Sequence, residues 1–208
     1  PAVMGANDSS FQEALLEEKG EMYPANGDVE AAKGYFETAL QELGITAEDL
    51  NNKISIDVSD DPVVQAQAAF YQEQWRQVLG IEVAVNSMIT KQGSQNRKTG
   101  NYVMSVTGWG PDYNDPNTFL DIWVTDGGNN QTGFSNERYD ELIDLAAKET
   151  DLEKRESYFI ECEQIIADQL PIGPSYWRAP SYACSDKIKG GMHRSTFQDI
   201  NAVYVKLS

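Results

Sequence analysis

Apolar residues recur along the chain at two spacings, and stretches with the two spacings alternate. A spacing of three and four residues predicts amphipathic helices, and alternation of apolar with polar residues predicts half-buried strands. The helical spacing occupies residues 9–18, 29–43, 47–52, 62–79, 117–124, 139–146 and 151–166, and the strand spacing occupies residues 53–58, 81–85, 102–106 and 202–205. This order predicts an α/β fold in which a mixed sheet carries helices on its faces.

Capping residues mark the ends of two helices in the first half of the chain. Asp28 suits the N-cap of the first helix, and Gly44 suits its end. Pro62 suits the first turn of the second helix, and Gly80 suits its end. Because a strand precedes this second helix and another follows it, residues 53–85 predict a βαβ unit with parallel strands and a right-handed crossover.

Acidic residues outnumber basic ones, and this imbalance restricts the possible partners. The 208 residues include 33 Asp and Glu against 16 Lys and Arg, a formal net charge of −17. Such a surface repels nucleic-acid phosphates and anionic lipid, so we expect no nucleic-acid partner and no membrane-surface binding. With 40% apolar residues the chain can bury a core. It has no apolar run of the ~20 residues that a membrane span needs.

The sequence contains none of the common catalytic or metal-binding motifs. It has no GxSxG, HExxH, GxGxxG or phosphate-loop pattern, and its single histidine, His193, cannot complete a metal site with the two cysteines. We therefore expect no enzyme activity, no metal and no cofactor. A carboxylate-based hydrolase is the alternative, because 33 acidic side chains leave room for a catalytic pair.

Cys162 and Cys184 are the only cysteines, and the sequence leaves their pairing open. Cys162 falls on the apolar stripe of a predicted helix, which favours a buried free thiol. A disulfide between the two residues would require an oxidising compartment.

Residues 107–121 carry the most specific pattern in the chain. The predicted strand at 102–106 leads into Gly-Trp-Gly, and a Pro-Asp-Tyr-Asn-Asp-Pro turn follows. Glycines on both sides of Trp109 leave room for another backbone, and a free strand edge can pair with an extended peptide. Asp112, held in the turn, can bind the α-ammonium group of such a peptide. The alternative is a tight turn in the core that Asp112 merely shapes.

The same segment, Thr107-Gly-Trp-Gly-Pro-Asp-Tyr-Asn-Asp-Pro-Asn-Thr-Phe-Leu-Asp121, resembles the signature of the oligopeptide-binding proteins of bacterial ABC importers. The likeness covers nearly the whole chain. Gly27-Asp-Val-Glu-Ala-Ala-Lys33 resembles a helix start in that family, and Leu79-Gly-Ile-Glu-Val83 resembles a helix end followed by a strand. The resemblance implies one lobe of a two-lobed, type II periplasmic-binding-protein-like fold that closes on a peptide.

The resemblance also implies that the chain is a fragment of a longer protein. Residues 1–185 correspond to the ligand-binding C-terminal lobe, and residues 186–208 correspond to a tail that returns toward the first lobe. The start at Pro1, without an initiator methionine or a signal segment, fits a fragment. We expect the intact protein to be an extracytoplasmic monomer, either periplasmic or a cell-surface lipoprotein. It would deliver oligopeptides to the membrane permease subunits of an ABC importer.

Four site residues follow from the family signature. Asp112 matches the acid that binds the α-ammonium group of the ligand, and Trp109 matches a pocket wall. Gly108 and Gly110 match backbone positions that pair with the peptide main chain. The resemblance thus implies main-chain binding with the amino end of the ligand fixed at Asp112.

Four further residues resemble family positions outside the signature. Arg97 matches an arginine that meets the ligand carboxylate in some members, the alternative being a solvated surface residue. Asn130 resembles a loop asparagine near a side-chain pocket, and Tyr176 and Trp177 resemble residues that line another pocket.

Some family features are absent from this sequence. Certain peptide binders have a histidine and an arginine where this chain has Val64 and Val106, and one has a disulfide-bonded cysteine where Gly110 stands. Ligand length is therefore not predicted. The family also includes binders of dipeptides, nickel, haem and oligosaccharides, and the match at Asp112 argues mainly against the last three.

Overall fold

The chain folds into two compact units. The structure is a computed structural model that describes residues 3–51, 53–177, 183–190, 193–194, 200–201 and 205–206. Residues Tyr23–Gly108 form one unit, called here the sheet unit. Pro1–Met22 and Trp109–Ser208 form the other, called the helical unit. Within the described residues, no helix is both long enough and apolar enough to cross a bilayer.

Helices and strands alternate along the chain, and most of them follow the order that the apolar pattern predicts. Helices α1 to α8 span Phe11–Lys19, Val29–Leu43, Ala47–Leu50, Pro62–Leu79, Thr90–Lys98, Asn117–Leu120, Glu137–Lys148 and Leu152–Gln169. Strands β1 to β5 span Ser55–Ser59, Ala84–Met88, Met104–Ser105, His193–Arg194 and Ile200–Asn201. Two 3-10 turns lie at Ala6–Asp8 and Asp121–Trp123.

A three-stranded parallel sheet with the order β2-β1-β3 forms the centre of the sheet unit. Helix α4 connects β1 to β2. The Asp61 carboxylate caps α4 by accepting from the N–H of Val63, and Gly80 ends the helix in the left-handed region at φ 69°. Ser55 of β1 lies opposite Ala84 of β2, and the pairing continues in parallel register. The predicted βαβ unit with parallel strands is therefore confirmed.

The two faces of this sheet differ in polarity. One face packs against α4 in an apolar core whose buried members are Ile56, Val58, Ala68, Ile81 and Val83. Asp57 is on the opposite face, is only 5% exposed, and accepts hydrogen bonds from Asn86 and from Asn96 of α5. Helices therefore lie on both faces, but only one interface is apolar.

Helices α7 and α8 enclose the core of the helical unit. Tyr139, Leu142 and Phe159 are completely or almost completely buried there. The Tyr139 hydroxyl donates to the carbonyl of Leu120 at 2.7 Å, so the buried polar atom has a partner. The Phe11 ring of α1 packs edge-on against Phe159, with the ring centroids 6.4 Å apart.

The α/β fold class is confirmed, and each predicted helix is present. The described three-stranded sheet is parallel throughout, and antiparallel pairing occurs in the separate pair β4 and β5. Of the predicted strand at 202–205, residues 202–204 lie outside the described residues, and Val205 belongs to no strand. Cys162 is buried and Cys184 is exposed, and both are free, as the interpretation of Cys162 as a free thiol requires.

Strand β2 begins later than the alternating pattern predicts. Ile81 and Val83 are buried in the core, yet the intervening Glu82 donates its N–H to Asn51 Oδ1 at 2.7 Å instead of to a strand. Ladder pairing starts at Ala84. Alternation therefore located the buried positions correctly but not the start of the hydrogen-bonded strand.

The apolar pattern does not predict helix α5. Its nine residues, TKQGSQNRK, have no apolar stripe. Contacts outside the helix stabilise it: Gly93 is buried beside Met88, and Asn96 donates to Asp57, 39 positions away. Arg97 consequently lies in the last turn of a helix.

Candidate functional site

Strand β3 lies at an edge of the sheet, and the segment after it contains the predicted site. The N–H of Val106 donates to the carbonyl of Asp57 at 2.9 Å, which extends the pairing with β1 beyond the strand. In the part of the chain that the structure describes, no strand pairs with the other edge of β3. An open edge of this kind is the template with which an extended peptide can pair.

Gly108 and Gly110 are exposed, and nothing in the described residues requires glycine at either position. Neither has the positive φ that favours glycine. A Cβ atom added to either would meet no described atom within 4 Å apart from its chain neighbours. The alternative of a tight turn buried in the core is therefore wrong, because both glycines face open space.

Asp112 combines an anchored backbone with an unbonded side chain. Its N–H donates to Thr118 Oγ1 at 2.9 Å, and Thr118 of α6 is only 2% exposed. The carboxylate is exposed and forms no hydrogen bond or ion pair with any described residue. The backbone of Asp112 is therefore anchored, and its carboxylate faces solvent.

The second aspartate of the turn, Asp115, has a structural role. Both of its carboxylate oxygens accept hydrogen bonds from Arg155 of α8, and Oδ1 also accepts from the N–H of Asn117. The Arg155 guanidinium lies 4.6 Å from the centre of the Phe159 ring. Asp115 thus fixes the turn to α8, whereas Asp112 remains accessible to a ligand.

Asp121 adds a second carboxylate near Asp112. Partial burial and, to a smaller extent, the charge of Asp112 raise the pKa of Asp121 above its ordinary value. The Tyr113 hydroxyl and Asn117 Nδ2 both donate to Asp121 and partly offset this effect. Because the two negative charges repel each other, this end of the site favours a positively charged group.

Exposed aromatic rings lie in the same unit. Trp109 is 42% exposed, and Tyr176 and Trp177 are each more than half exposed. The Trp177 ring packs edge-on against Phe119 of α6 at a centroid distance of 5.9 Å. Trp177 therefore packs against α6, the helix whose Thr118 accepts from the Asp112 N–H. That the three rings line ligand pockets stays a prediction.

Arg97 lies in the sheet unit, whereas Asp112 lies in the helical unit. Its side chain is half-buried, and Nη1 donates to Ser105 Oγ of β3 at 3.2 Å. Arg97 is therefore not the fully solvated surface residue of the alternative interpretation. Its contact with a ligand carboxylate stays a prediction.

The Asn130 side chain is occupied within its own loop. Its Oδ1 accepts from the N–H and hydroxyl of Thr132. Its Nδ2 donates to the carbonyls of Trp123, Val124 and Phe134. The structure gives Asn130 the role of holding the loop, and its contact with a ligand stays a prediction.

Sequence reasoning missed Thr118 and Asp121. A helix start at Asp115-Pro116 places Asn117 and Asp121 four positions apart, on one helical face, and this spacing was the available signal. The bond from the Asp112 N–H to Thr118 has no comparable signal. Among the described residues, no group of three or more His, Cys, Asp and Glu side chains is close enough to hold a metal ion.

Sequence comparison identifies relatives over most of the chain. The family described as "Bacterial extracellular solute-binding proteins, family 5 Middle" matches residues 2–131. The oligopeptide-binding protein OppA of Bacillus subtilis is 34% identical over 84% of this chain and 32% of its own length. The dipeptide-binding protein DppE of the same organism is 29% identical over 73% of this chain and 28% of its own length. The chain thus spans about a third of the curated relatives it matches.

Solved structures match almost the whole chain. An oligopeptide ABC transporter substrate-binding domain from Bacillus anthracis superimposes with a TM-score of 0.80 and 25% identity, over 99% of this chain and 38% of that one. Peptide-bound OppA from Listeria monocytogenes gives a TM-score of 0.74 and 28% identity, over 98% and 37%. The resemblance to oligopeptide-binding proteins and the expected fold are confirmed. The chain belongs to the family 5 bacterial extracellular solute-binding proteins.

Proposed function

We propose that this chain is the ligand-binding lobe of an extracytoplasmic oligopeptide-binding protein that serves an ABC importer. Residues 1–185 form the lobe and residues 186–208 return toward a first lobe. The intact protein is a monomer, periplasmic or lipid-anchored, and passes its ligand to permease subunits without chemical change. Relatives named for oligopeptide and dipeptide binding support this proposal.

One observation carries the proposal: the exposed and unbonded carboxylate of Asp112 on an anchored backbone. The ligand's α-ammonium group binds there through a charge-assisted hydrogen bond. Asp121 increases the negative charge around that group. Because the turn is fixed before binding, little conformational entropy is lost when the ammonium group docks.

The main chain of the peptide supplies the remaining affinity in this proposal. It pairs with the open edge of β3 and passes Gly108 and Gly110, where no side chain obstructs it. Since every peptide has the same backbone, binding tolerates many side chains.

The isolated lobe forms only part of the binding site. It makes a fraction of the contacts and cannot exclude water, so the 208-residue chain alone should bind peptides weakly or undetectably. Micromolar binding by this chain alone would contradict the proposal that the ligand is enclosed between two lobes.

Calorimetry on the intact protein that carries this chain tests the role of Asp112. Wild type is titrated with a tripeptide that has a free amino end and with its N-acetylated form. Wild type should prefer the free amine by about tenfold or more, and Asp112→Asn should remove that preference. Asp126→Asn is the control, because Asp126 is exposed in the same unit and the same charge is lost.

Retention of the full preference by Asp112→Asn would show that the amino end binds elsewhere. The alternative of a carboxylate-based hydrolase makes a different prediction, namely turnover. Peptide cleavage by the intact protein that Asp112→Asn abolishes would support the hydrolase and overturn the binding function.

A further inference from the structure

A recess of about 440 Å³ opens on the polar face of the sheet unit. It is lined by Ser55 and Asp57 of β1, Asn86 and Met88 of β2, Asn96 of α5 and the segment 100–103. Its lining does not include the peptide-binding residues proposed above. Its volume lies within the range of about 300–1,000 Å³ that small-molecule sites occupy.

Asp57 is a buried carboxylate whose register partner on β3, Ser105, accepts a hydrogen bond from Arg97. It is 5% exposed, and no Lys, Arg or His among the described residues forms an ion pair with it. Asn86 Nδ2 donates to Oδ1 at 3.0 Å, and Asn96 Nδ2 donates to Oδ2 at 3.1 Å. Two carboxylate oxygens offer about four acceptor positions, so capacity for further donors remains. A buried carboxylate is costly unless a positive charge compensates it.

Two more acceptors lie beside this carboxylate. Asn86 is the register partner of Asp57, and Ser55 precedes Asp57 by two residues on the same face of the sheet. Neither Ser55 Oγ nor Asn86 Oδ1 has a hydrogen-bond partner among the described residues. The Asn96 Oδ1 atom, by contrast, already accepts from Gln92. The recess therefore offers one carboxylate and two neutral acceptors to a ligand.

This lining excludes several classes of ligand. Asp57 repels anions, and the polar walls are unsuitable for an apolar molecule. A calcium ion needs 6–8 oxygen ligands, usually from several carboxylates, and this recess has one carboxylate. A neutral polyol would bring no positive charge to Asp57. A primary ammonium group, by contrast, brings a positive charge and three N–H donors to three acceptors.

We propose that this recess binds a small hydroxylated primary ammonium compound, of the amino-sugar class, with its ammonium group on Asp57. Ser55 and Asn86 accept the remaining N–H groups, and the exposed amide side chain of Asn101 faces the hydroxyl groups of the ligand. The proposal uses none of the residues assigned to the peptide and does not depend on the proposed function. The net charge of −17 also attracts such cations to the protein.

A matched pair of sugars tests the proposal on the 208-residue chain. Glucosamine and glucose differ only by an amine in place of a hydroxyl group, and the titration is done below the pKa of the amine. Amide chemical shifts are followed by NMR. Glucosamine should bind at least about tenfold more tightly than glucose, with the shifts concentrated at residues 55–57, 86 and 100–103.

Two charge-neutralising variants localise the binding. Asp57→Asn should lose the preference for glucosamine, whereas Asp60→Asn should keep it, because Asp60 is exposed and does not line the recess. If Asp57→Asn does not fold, Asn101→Trp replaces it: the exposed Asn101 side chain is at the rim, and an indole there should block binding without changing the melting temperature. Equal affinity for both sugars, no shifts at the recess, or an equal loss in Asp60→Asn would overturn the proposal.

Discussion

Arg155 and Asp115 are joined by two hydrogen bonds across forty positions of the chain, Nη1 to Oδ2 at 2.6 Å and Nη2 to Oδ1 at 3.0 Å. Both side chains are about three-quarters buried. The Arg155 Nε also donates to the carbonyl of Ala146, so the guanidinium connects α7, α8 and the turn that carries Asp112. These contacts hold the turn in place without a ligand, which should reduce the entropic cost of binding one.

The two aspartates of this turn should respond differently to neutralisation. Asp115→Asn breaks a partly buried bidentate pair and should lower the free energy of unfolding by about 2 kcal/mol. Asp112→Asn should change it by less than about 0.5 kcal/mol, because that carboxylate is exposed and forms no hydrogen bond or ion pair with a described residue. Urea denaturation of both variants measures the difference. Equal losses would mean that Asp112 also supports the fold.

The site glycines should be replaceable without loss of stability. Gly108→Ala and Gly110→Ala should unfold like wild type, since the added methyl group meets no described atom, but peptide affinity of the intact protein should fall. Gly44→Ala is the control: it also has open space, but its φ of 65° strains alanine by about 1 kcal/mol. Unchanged peptide affinity in both site variants would exclude close main-chain approach.

Glu163 should make stability dependent on pH. Burial raises its pKa from 4.5 to about 7, so the folded state binds this proton more tightly than the unfolded state. The free energy of unfolding should therefore fall as pH rises between about 4.5 and 7 and then level off. Glu163→Gln should remove this dependence and stabilise the protein above about pH 7 by up to about 3 kcal/mol. Denaturant melts across this pH range provide the measurement.

Glu161, on the same helix, is the matched control. Hydrogen bonds from Arg138 lower the pKa of Glu161. The ionised Glu161 therefore adds to the free energy of unfolding at neutral pH, and this contribution is lost on acidification. Glu161→Gln should therefore slightly destabilise the protein at neutral pH, opposite in sign to Glu163→Gln. The same sign for both variants would contradict the raised pKa of Glu163.

The two thiols should differ in reactivity. Burial raises the pKa of Cys162 to about 12, and Cys184 is exposed. In the folded protein, a thiol reagent should rapidly modify Cys184 alone. After denaturation without a reductant, it should modify both cysteines. Cys184→Ser should abolish the rapid phase. A single reactive thiol in the denatured protein, or none, would contradict two free cysteines.

Apolar spacing and capping residues were sufficient to predict most of the helices. Helix α2 begins where the Asp28 carboxylate accepts from the N–H of Ala31, and it ends at Gly44 in the left-handed region. Both signals lie within a few residues of the boundary that they set. The sequence alone could therefore predict α2 correctly at both ends.

Interactions between distant residues could not be predicted in the same way. Helix α5 depends on the bond from Asn96 to Asp57, which are 39 positions apart, and its own residues show no apolar stripe. The candidate site shows the same division. The motif indicated Asp112, but its anchoring to Thr118 and the clamp of Arg155 on Asp115 arise only from the fold.

Because a ribosome makes the chain from its N-terminus, the sheet unit can form before the helical unit. The sheet unit is an uninterrupted run, so all of its strands have emerged before α7 and α8 are synthesised. The helical unit must wait, because the N–H of Ala6 donates to the carboxylate of Glu156, 150 positions later. The nascent chain can therefore complete its parallel strands early, while its first residues stay without their partners until α8 has been made.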